Sequence, residues 1–380
     1  MAGLYLHIPF CRQACHYCNF HFSTSLQYRA EMVAAIIREI SWRQGYLAER
    51  ELQSVYFGGG TPSLLSPAEL GQIFAAIGAH FRLVPGAEVT LEANPDDLTA
   101  DYLAGLRDTP VNRLSIGIQS FSDTDLRFMH RAHDAHEAQA SLERALAAGF
   151  EQLTIDLIYG APTTTDEQWL ANIDRALALG IPHLSCYALT VEPRTALAHQ
   201  IKTGQAPPMD EQQAARQFAI LVEQLEGAGF LHYEISNFAR PTALAVHNSN
   251  YWRGVPYLGV GPAAHSYDGD SRQWNVANNA KYLRRLAEID PVCPPQIDEE
   301  PLFEREVLSP TDRYNEYVMT GLRTMWGVQP EALTPEHQAH FLTHIQQFID
   351  KKLIVKQENS FILTRSGRFL ADGIAADLFI

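Results

Sequence analysis

Three of the chain's five cysteines fall within eight residues, in Cys11-Arg12-Gln13-Ala14-Cys15-His16-Tyr17-Cys18. The spacing is C-x3-C-x2-C. Such clustering does not make a disulfide framework; it reads as metal ligation or redox chemistry. Thiolates suit iron–sulfur clusters and zinc. Zinc needs a fourth ligand, for which His7, His16 and His21 stand near. A [4Fe–4S] cube held by three cysteines leaves one iron without a protein ligand. That iron can chelate the amino and carboxylate groups of S-adenosylmethionine. An electron passed to the sulfonium then cleaves a C–S bond and releases a 5′-deoxyadenosyl radical.

Further polar residues sit where a ligand of that kind would need them. Phe57-Gly58-Gly59-Gly60-Thr61-Pro62 carries glycines that let backbone groups approach a ligand closely. No Lys-Ser/Thr follows, so this is not a P-loop. Glu92 lies in Leu91-Glu92-Ala93-Asn94-Pro95, Gln119 and Ser120 in Gly117-Ile118-Gln119-Ser120-Phe121, and Asp156 in Ile155-Asp156-Leu157-Ile158-Tyr159-Gly160. Arg131 follows Met129-His130 and can pair with a carboxylate. Later, His247-Asn248-Ser249-Asn250-Tyr251-Trp252 places an imidazole among aromatics, and His265 is a further candidate ligand. A neutral imidazole can ligate haem iron. Cys186 reads as a small buried residue. Cys293 stands in a proline-rich stretch.

The elements that position these groups follow from periodicity. Short apolar runs read as strands at Leu4–Ile8, Ser54–Phe57, Val89–Glu92, Arg113–Gly117, Leu153–Leu157 and Leu184–Leu189. Helical spacing after Leu26 sets Met32, Ile36 and Ile40 on one stripe. Ser66 or Pro67 starts a helix. Others are expected over Ala100–Leu106, His136–Ala148, Asp166–Ala178 and Asp210–Ala228, with Gly149 and Gly180 as stop signals. Six β-α repeats with right-handed crossovers give a curled parallel sheet. The class is therefore α/β, a partial (β/α)6 TIM-like barrel over residues 1–230. The cysteine loop follows the first strand directly. Glu92, Gln119 and Asp156 come from successive strand ends, so all converge on the C-terminal mouth.

Residues 231–300 read as loop-rich, ending in a linker at Pro291, Pro294, Pro295 and Pro301. Residues 301–380 read as a smaller C-terminal α+β, winged-helix-like domain. It has helices near Tyr314–Met325 and Pro335–Lys351 and strands at Leu353–Val355 and Phe361–Leu363. The net charge of −15 disfavours a general nucleic-acid binder. No secretory signal is evident, and no apolar run reaches the roughly 18 residues of a membrane span. The expectation is a soluble, cytoplasmic protein.

The cysteine loop after the first strand resembles the radical SAM superfamily signature. LYLHIPFC, GGGTPS, LEANP, GIQSF and DLIYG narrow the likeness to the oxygen-independent coproporphyrinogen III oxidase group. That resemblance implies a [4Fe–4S] cluster on Cys11, Cys15 and Cys18. It implies S-adenosylmethionine contacts at Tyr5, Tyr17, Gly59, Gly60, Thr61, Glu92, Gln119, Arg131 and Asp156. The oxidases carry a fourth cysteine where this chain has Phe20, and an extension before the first strand. The H-N-x-x-Y-W pattern is instead similar to that of the HemW family of haem chaperones, in which the histidine is implicated in haem binding. This resemblance implies haem at His247 and delivery to haem-accepting proteins, membrane respiratory enzymes among them. It also implies an electron donor and a homodimer. The alternative is a radical enzyme acting on a tetrapyrrole.

Overall fold

The computed structural model describes residues 2–289 and 302–380. The proline linker and Cys293 lie outside the described residues. Six strands follow one another as expected: β1 (Ala2–Ile8), β2 (Glu51–Gly59), β3 (Arg82–Ala93), β4 (Arg113–Gln119), β5 (Gln152–Tyr159) and β6 (His183–Ala188). Each pairs in parallel with the next, in the order β1-β2-β3-β4-β5-β6. Between them run α1 (Arg29–Trp42), α2 (Pro67–His80), α3 (Ala100–Arg107), α4 (Asp123–Phe128), α5 (Ala135–Ala147) and α6 (Asp166–Ala178). The fold is α/β with a mostly parallel central sheet, as the repeat pattern requires.

Local chemistry sets these boundaries. Ser66 caps α2 through a reciprocal box with Glu69, and Thr165 does the same for α6 with Gln168. Gly149 and Gly180 end α5 and α6 at φ +85° and +70°, where a side chain would be strained. The strands are buried on both faces, so their sequence is a continuous apolar run with few polar interruptions. The interruptions matter because they fall at the mouth.

After β6 come α7 (Ala196–Lys202) and α8 (Glu211–Gly227). The stretch 231–300, expected to be loop, is largely ordered secondary structure up to residue 289. It contains β7 (Leu231–Glu234), β8 (Asn237–Ala239), α9 (Val246–Trp252), β9 (Tyr257–Val260), β10 (His265–Tyr267), β11 (Ser271–Asn275) and α10 (Asn279–Glu288). These strands extend the sheet at both edges. β9 joins β1 in parallel and leads through β10 and β11 to β12 (Phe303–Val307), while β8 and β7 add to β6. Strands of three to five residues carry too few positions to show alternation, which is why periodicity missed them.

Buried polar groups pin this added edge to the barrel. Glu39 of α1 and Arg43 at its C-cap, 0% and 5% exposed, bond each other and reach Asn275, Gln273, Tyr282 and the Gly261 N–H. Removing one partner of such a pair strands a buried charge at a cost of about 3–5 kcal/mol.

A second core lies beyond β12. α11 (Pro310–Leu322), α12 (Pro335–Asp350) and the hairpin β13 (Ile354–Gln357)–β14 (Ser360–Leu363) gather Tyr314, Val318, Phe341, Ile345 and Phe361. This is the expected helix–helix–hairpin, with two terminal helices, α13 (Arg365–Arg368) and α14 (Ala371–Asp377), added. Because β12 pairs with β11, the main sheet runs past residue 301 and the second core starts at α11. Among the described residues no helix is long and apolar enough to cross a membrane.

Candidate functional site

The loop from Cys11 to Cys18 leaves β1 at the C-terminal mouth, and all three thiols are free and part-exposed. Two donors point at the sulfurs. Thr61 Oγ1 lies 3.4 Å from Cys11 Sγ, and Arg131 Nη1 lies 3.2 Å from Cys15 Sγ. Burial pushes the Cys11 thiol up to about 11 and raises that of Cys18, so bare thiolates are disfavoured without a cationic centre. The loop is clamped from the segment after α4. His16 N–H bonds Met129 O, Gln13 bonds His130 O, and His130 Nδ1 bonds Ala14 O. His16 and His130 stack at 4.6 Å.

The histidines offered as a fourth zinc ligand are engaged elsewhere. His7 bonds Tyr5 OH and His21 O, His16 bonds Phe128 O, and His21 bonds Asn279. Among the described residues, no three His, Cys, Asp or Glu side chains converge as a single ion requires. A cube spreads its ligands over separate irons and needs no such convergence. The donor set therefore fits an iron–sulfur cluster better than zinc.

Behind the loop, Glu92, Asp156, Arg131 and Tyr17 gather within electrostatic reach of one another. Glu92 accepts from Tyr56 OH at 2.7 Å and from Gly59 N–H at 3.2 Å. Burial raises its carboxyl, and those two donors oppose the rise. Asp156 is pushed up to about 7, by burial first and by the charge of Glu92 next. Two acids in one low-dielectric mouth suit a cationic ligand, and S-adenosylmethionine bears an amine and a sulfonium. Arg131 Nη2 bonds Asn94 Oδ1 at 2.7 Å and Gly117 O at 2.9 Å, while its buried Nε has no partner. Tyr17 lies near Arg131 and packs against the small apolar cluster that includes Met129 and Ile158. Gln119 sits at φ +66°, an unusual backbone for a glutamine and a mark of a constrained turn.

The glycines act by close approach. A Cβ on Gly60 would stand 2.5 Å from Phe10 O and 2.8 Å from Ile8 O, so the turn after β2 and the start of the cysteine loop require its absence. Gly59 at φ +106° lies against the His7 ring. Thr61 is fixed by its N–H to Phe10 O and by Asn94 Nδ2 at 3.3 Å.

His247 lies on the barrel side of α9. Its Nδ1 is 2.9 Å from Ser54 Oγ, and its ring stacks on Tyr56 at 5.1 Å and near Tyr5 at 6.5 Å. Burial lowers its pKa to about 4, so the ring is neutral. Glu88 caps α9 by accepting from the N–H groups of Val246 and His247. Tyr251 and Trp252 face away from it, toward the second core. Asn248 Oδ1, Ser249 Oγ, Asn250 Nδ2 and Trp252 Nε1 are buried without partners. Phe20 is 67% exposed at the tip of the cysteine loop, and His265 is exposed on β10 beside Trp274. Cys186 is buried in β6.

Sequence reasoning passed over Tyr56, Asn94 and Ser54. Asn94 stood in the quoted strand-end stretch, and its amide position two residues after Glu92 was the available signal. Tyr56 and Ser54 read as ordinary strand residues, and only their partners reveal them.

Residues 5–176 match the Radical SAM superfamily, and residues 308–370 match the HemN C-terminal domain. A Mycobacterium tuberculosis protein named heme chaperone HemW is 33% identical over 380 residues, spanning 99% of this chain and 94% of its own. The Bacillus subtilis heme chaperone HemW is 31% identical over 98% of both chains. The Escherichia coli heme chaperone HemW is 36% identical over 268 residues, 69% of each chain. Among solved structures, the E. coli coproporphyrinogen III oxidase HemN, a radical SAM enzyme, gives a TM-score of 0.83 at 25% identity. It covers 99% of this chain and 89% of its own.

Proposed function

The chain belongs to the HemW haem-chaperone family of radical SAM proteins, and we propose that it binds haem and delivers it to haem-dependent proteins, respiratory enzymes among them. Cys11, Cys15 and Cys18 would hold a [4Fe–4S] cluster. Tyr5, Tyr17, Gly59, Gly60, Thr61, Glu92, Gln119, Arg131 and Asp156 would bind S-adenosylmethionine. Such a cluster, when bound, supplies an electron and an open iron for that ligand. Thr61 and Arg131 donate toward the ligating sulfurs, and Glu92 and Asp156 supply the negative charge that a sulfonium favours.

One observation carries the reading. His247 of the haem motif packs on Tyr56, whose hydroxyl holds Glu92 in the cofactor pocket. The two proposed ligands therefore share a wall, and occupancy of one pocket can bias the other. The cofactor would then gate haem transfer or dimerisation rather than serve decarboxylation. Phe20 in place of a fourth cysteine favours the same view.

A second reading, a radical enzyme acting on a tetrapyrrole, draws on the likeness to the oxidase structure. The two are separated by incubating anaerobically reconstituted protein with reductant, S-adenosylmethionine and coproporphyrinogen III. The chaperone reading expects no vinyl product, together with saturable haem binding in a parallel titration. Robust protoporphyrinogen formation overturns it.

A further inference from the structure

The chain bears 44 Asp and Glu in 380 residues, yet residues 1–30, 126–133 and 193–209 contain none. The fold gathers those three stretches around the cysteine loop. Leu197 N–H of α7 donates to His16 O, Gln13 reaches His130 O, and His130 Nδ1 meets Ala14 O. Tyr17, Phe128, Met129, Leu197 and Ile201 belong to one small apolar cluster. Stretches far apart in sequence and free of acids therefore form one face.

What this face exposes is basic. Arg12, Arg127, Arg194 and Lys202 are exposed, as are His130 and His199. Among the described residues no carboxylate pairs with Arg127, Arg194 or Lys202. Arg12 pairs with the buried Asp97 and still keeps 60% of its side chain in solvent. Glu192, at the border of the third stretch, is engaged by Asn19. Phe20 and Val191, next to that contact, are 67% and 40% exposed. Arginines around an exposed aromatic have the make-up of a protein-docking patch. Their field attracts an acidic surface although the chain as a whole is acidic. The part-exposed thiols of Cys11, Cys15 and Cys18 belong to the same face, so a partner seated here is held against the redox centre. The helix on this face, α7, has seven residues and buries Leu197, so it offers no long apolar stripe to lipid.

We propose that this acid-free face is the docking site of an acidic one-electron carrier protein, steered by Arg127, Arg194 and Lys202 and seated on Phe20. This rests on the iron–sulfur reading of the three cysteines and adds a partner to it. One electron passes from the reduced carrier to the [4Fe–4S]²⁺ cluster, leaving [4Fe–4S]⁺ and a carrier oxidised by one electron. No bond forms or breaks in that step. The complex is a transient one, with a contact below about 1,200 Å², as redox encounters are.

The test is the rate at which a reduced, acidic [2Fe–2S] ferredoxin reduces the cluster of the reconstituted full chain, followed by stopped-flow absorption over a range of salt concentrations. Photoreduced deazaflavin serves as a small reductant that needs no docking. The ferredoxin rate should fall at least tenfold as salt is raised. At low salt the double variant Arg127→Glu/Lys202→Glu should be about tenfold slower than wild type with ferredoxin and equal to it with deazaflavin. The double variant Lys351→Glu/Lys356→Glu changes net charge equally at exposed sites of the C-terminal domain and should keep the wild-type ferredoxin rate. Equal ferredoxin rates in wild type and Arg127→Glu/Lys202→Glu overturn the docking site, as does equal slowing in the two double variants. Charge-dependent binding to phosphatidylserine vesicles with no such effect on the ferredoxin rate gives the face to a lipid surface and overturns it too. Failure of the unaltered protein to take up iron overturns the iron–sulfur reading itself.

Discussion

Asp156 shows how one carboxyl can report on the pocket. Burial and the neighbouring charge of Glu92 hold its folded pKa at about 7, above the unfolded value. The stability this group contributes is present at low pH and is lost as pH rises through about 7. A bound cation reverses that balance by favouring the ionised form. S-Adenosylmethionine affinity should therefore rise between about pH 6 and 8, and Asp156→Asn should flatten the profile, as read by calorimetric titration. An unchanged profile in that variant would remove Asp156 from the cofactor contacts. At this scale the sequence was most informative. Three cysteines at fixed spacing declare their chemistry without a fold, whereas Tyr56 and Ser54 acquire meaning only from Glu92 and His247 beside them.

The element that decides the site is the turn after β2. Gly60 stands so close to the Phe10 and Ile8 carbonyls that any side chain must move backbone, since neither neighbour is a flexible side chain. Gly60→Ala should cost on the order of 1–3 kcal/mol. It should also displace the cysteine loop, lowering iron bound per chain while far-UV circular dichroism is retained. Gly71→Ala, in α2 with nothing within 4 Å of its Cβ, serves as the control and should behave as wild type. Full iron loading in Gly60→Ala would show that the loop tolerates the shift. The strands and helices of the barrel were legible because doubly buried strands and amphipathic helices repeat one pattern at readable length. The edge strands β7–β12 were not, because each is three to five residues long and its burial is decided by the neighbour it joins.

Across the whole molecule, several histidines are neutral by burial. His7, His133 and His247 are lowered to about 4 and His232 to about 3, in each case chiefly by desolvation. The unfolded chain protonates them near 6.5, so their support for the fold is complete above that pH and drains away as pH falls toward 4. The melting temperature of the cluster-free protein should drop between about pH 7 and pH 5, and a flat profile across that range would contradict the burial described here. His232, bonded to Arg368, lies at the seam between barrel and C-terminal domain, so loosening there is expected to precede loss of the barrel. That seam was the least legible feature of the sequence. The winged-helix-like pattern announced a second core, yet nothing local in Trp252, Arg253, Arg323 or Trp326 revealed that they face one another. One measurement tests the cluster directly: anaerobic reconstitution of the full chain with iron and sulfide, followed by electron paramagnetic resonance of the reduced protein with and without S-adenosylmethionine. The expected result is four irons per chain, a [4Fe–4S]⁺ signal that shifts when the cofactor is added, and loss of that signal in Cys15→Ser. Stoichiometric zinc without iron uptake, or a cluster signal indifferent to S-adenosylmethionine, would contradict it.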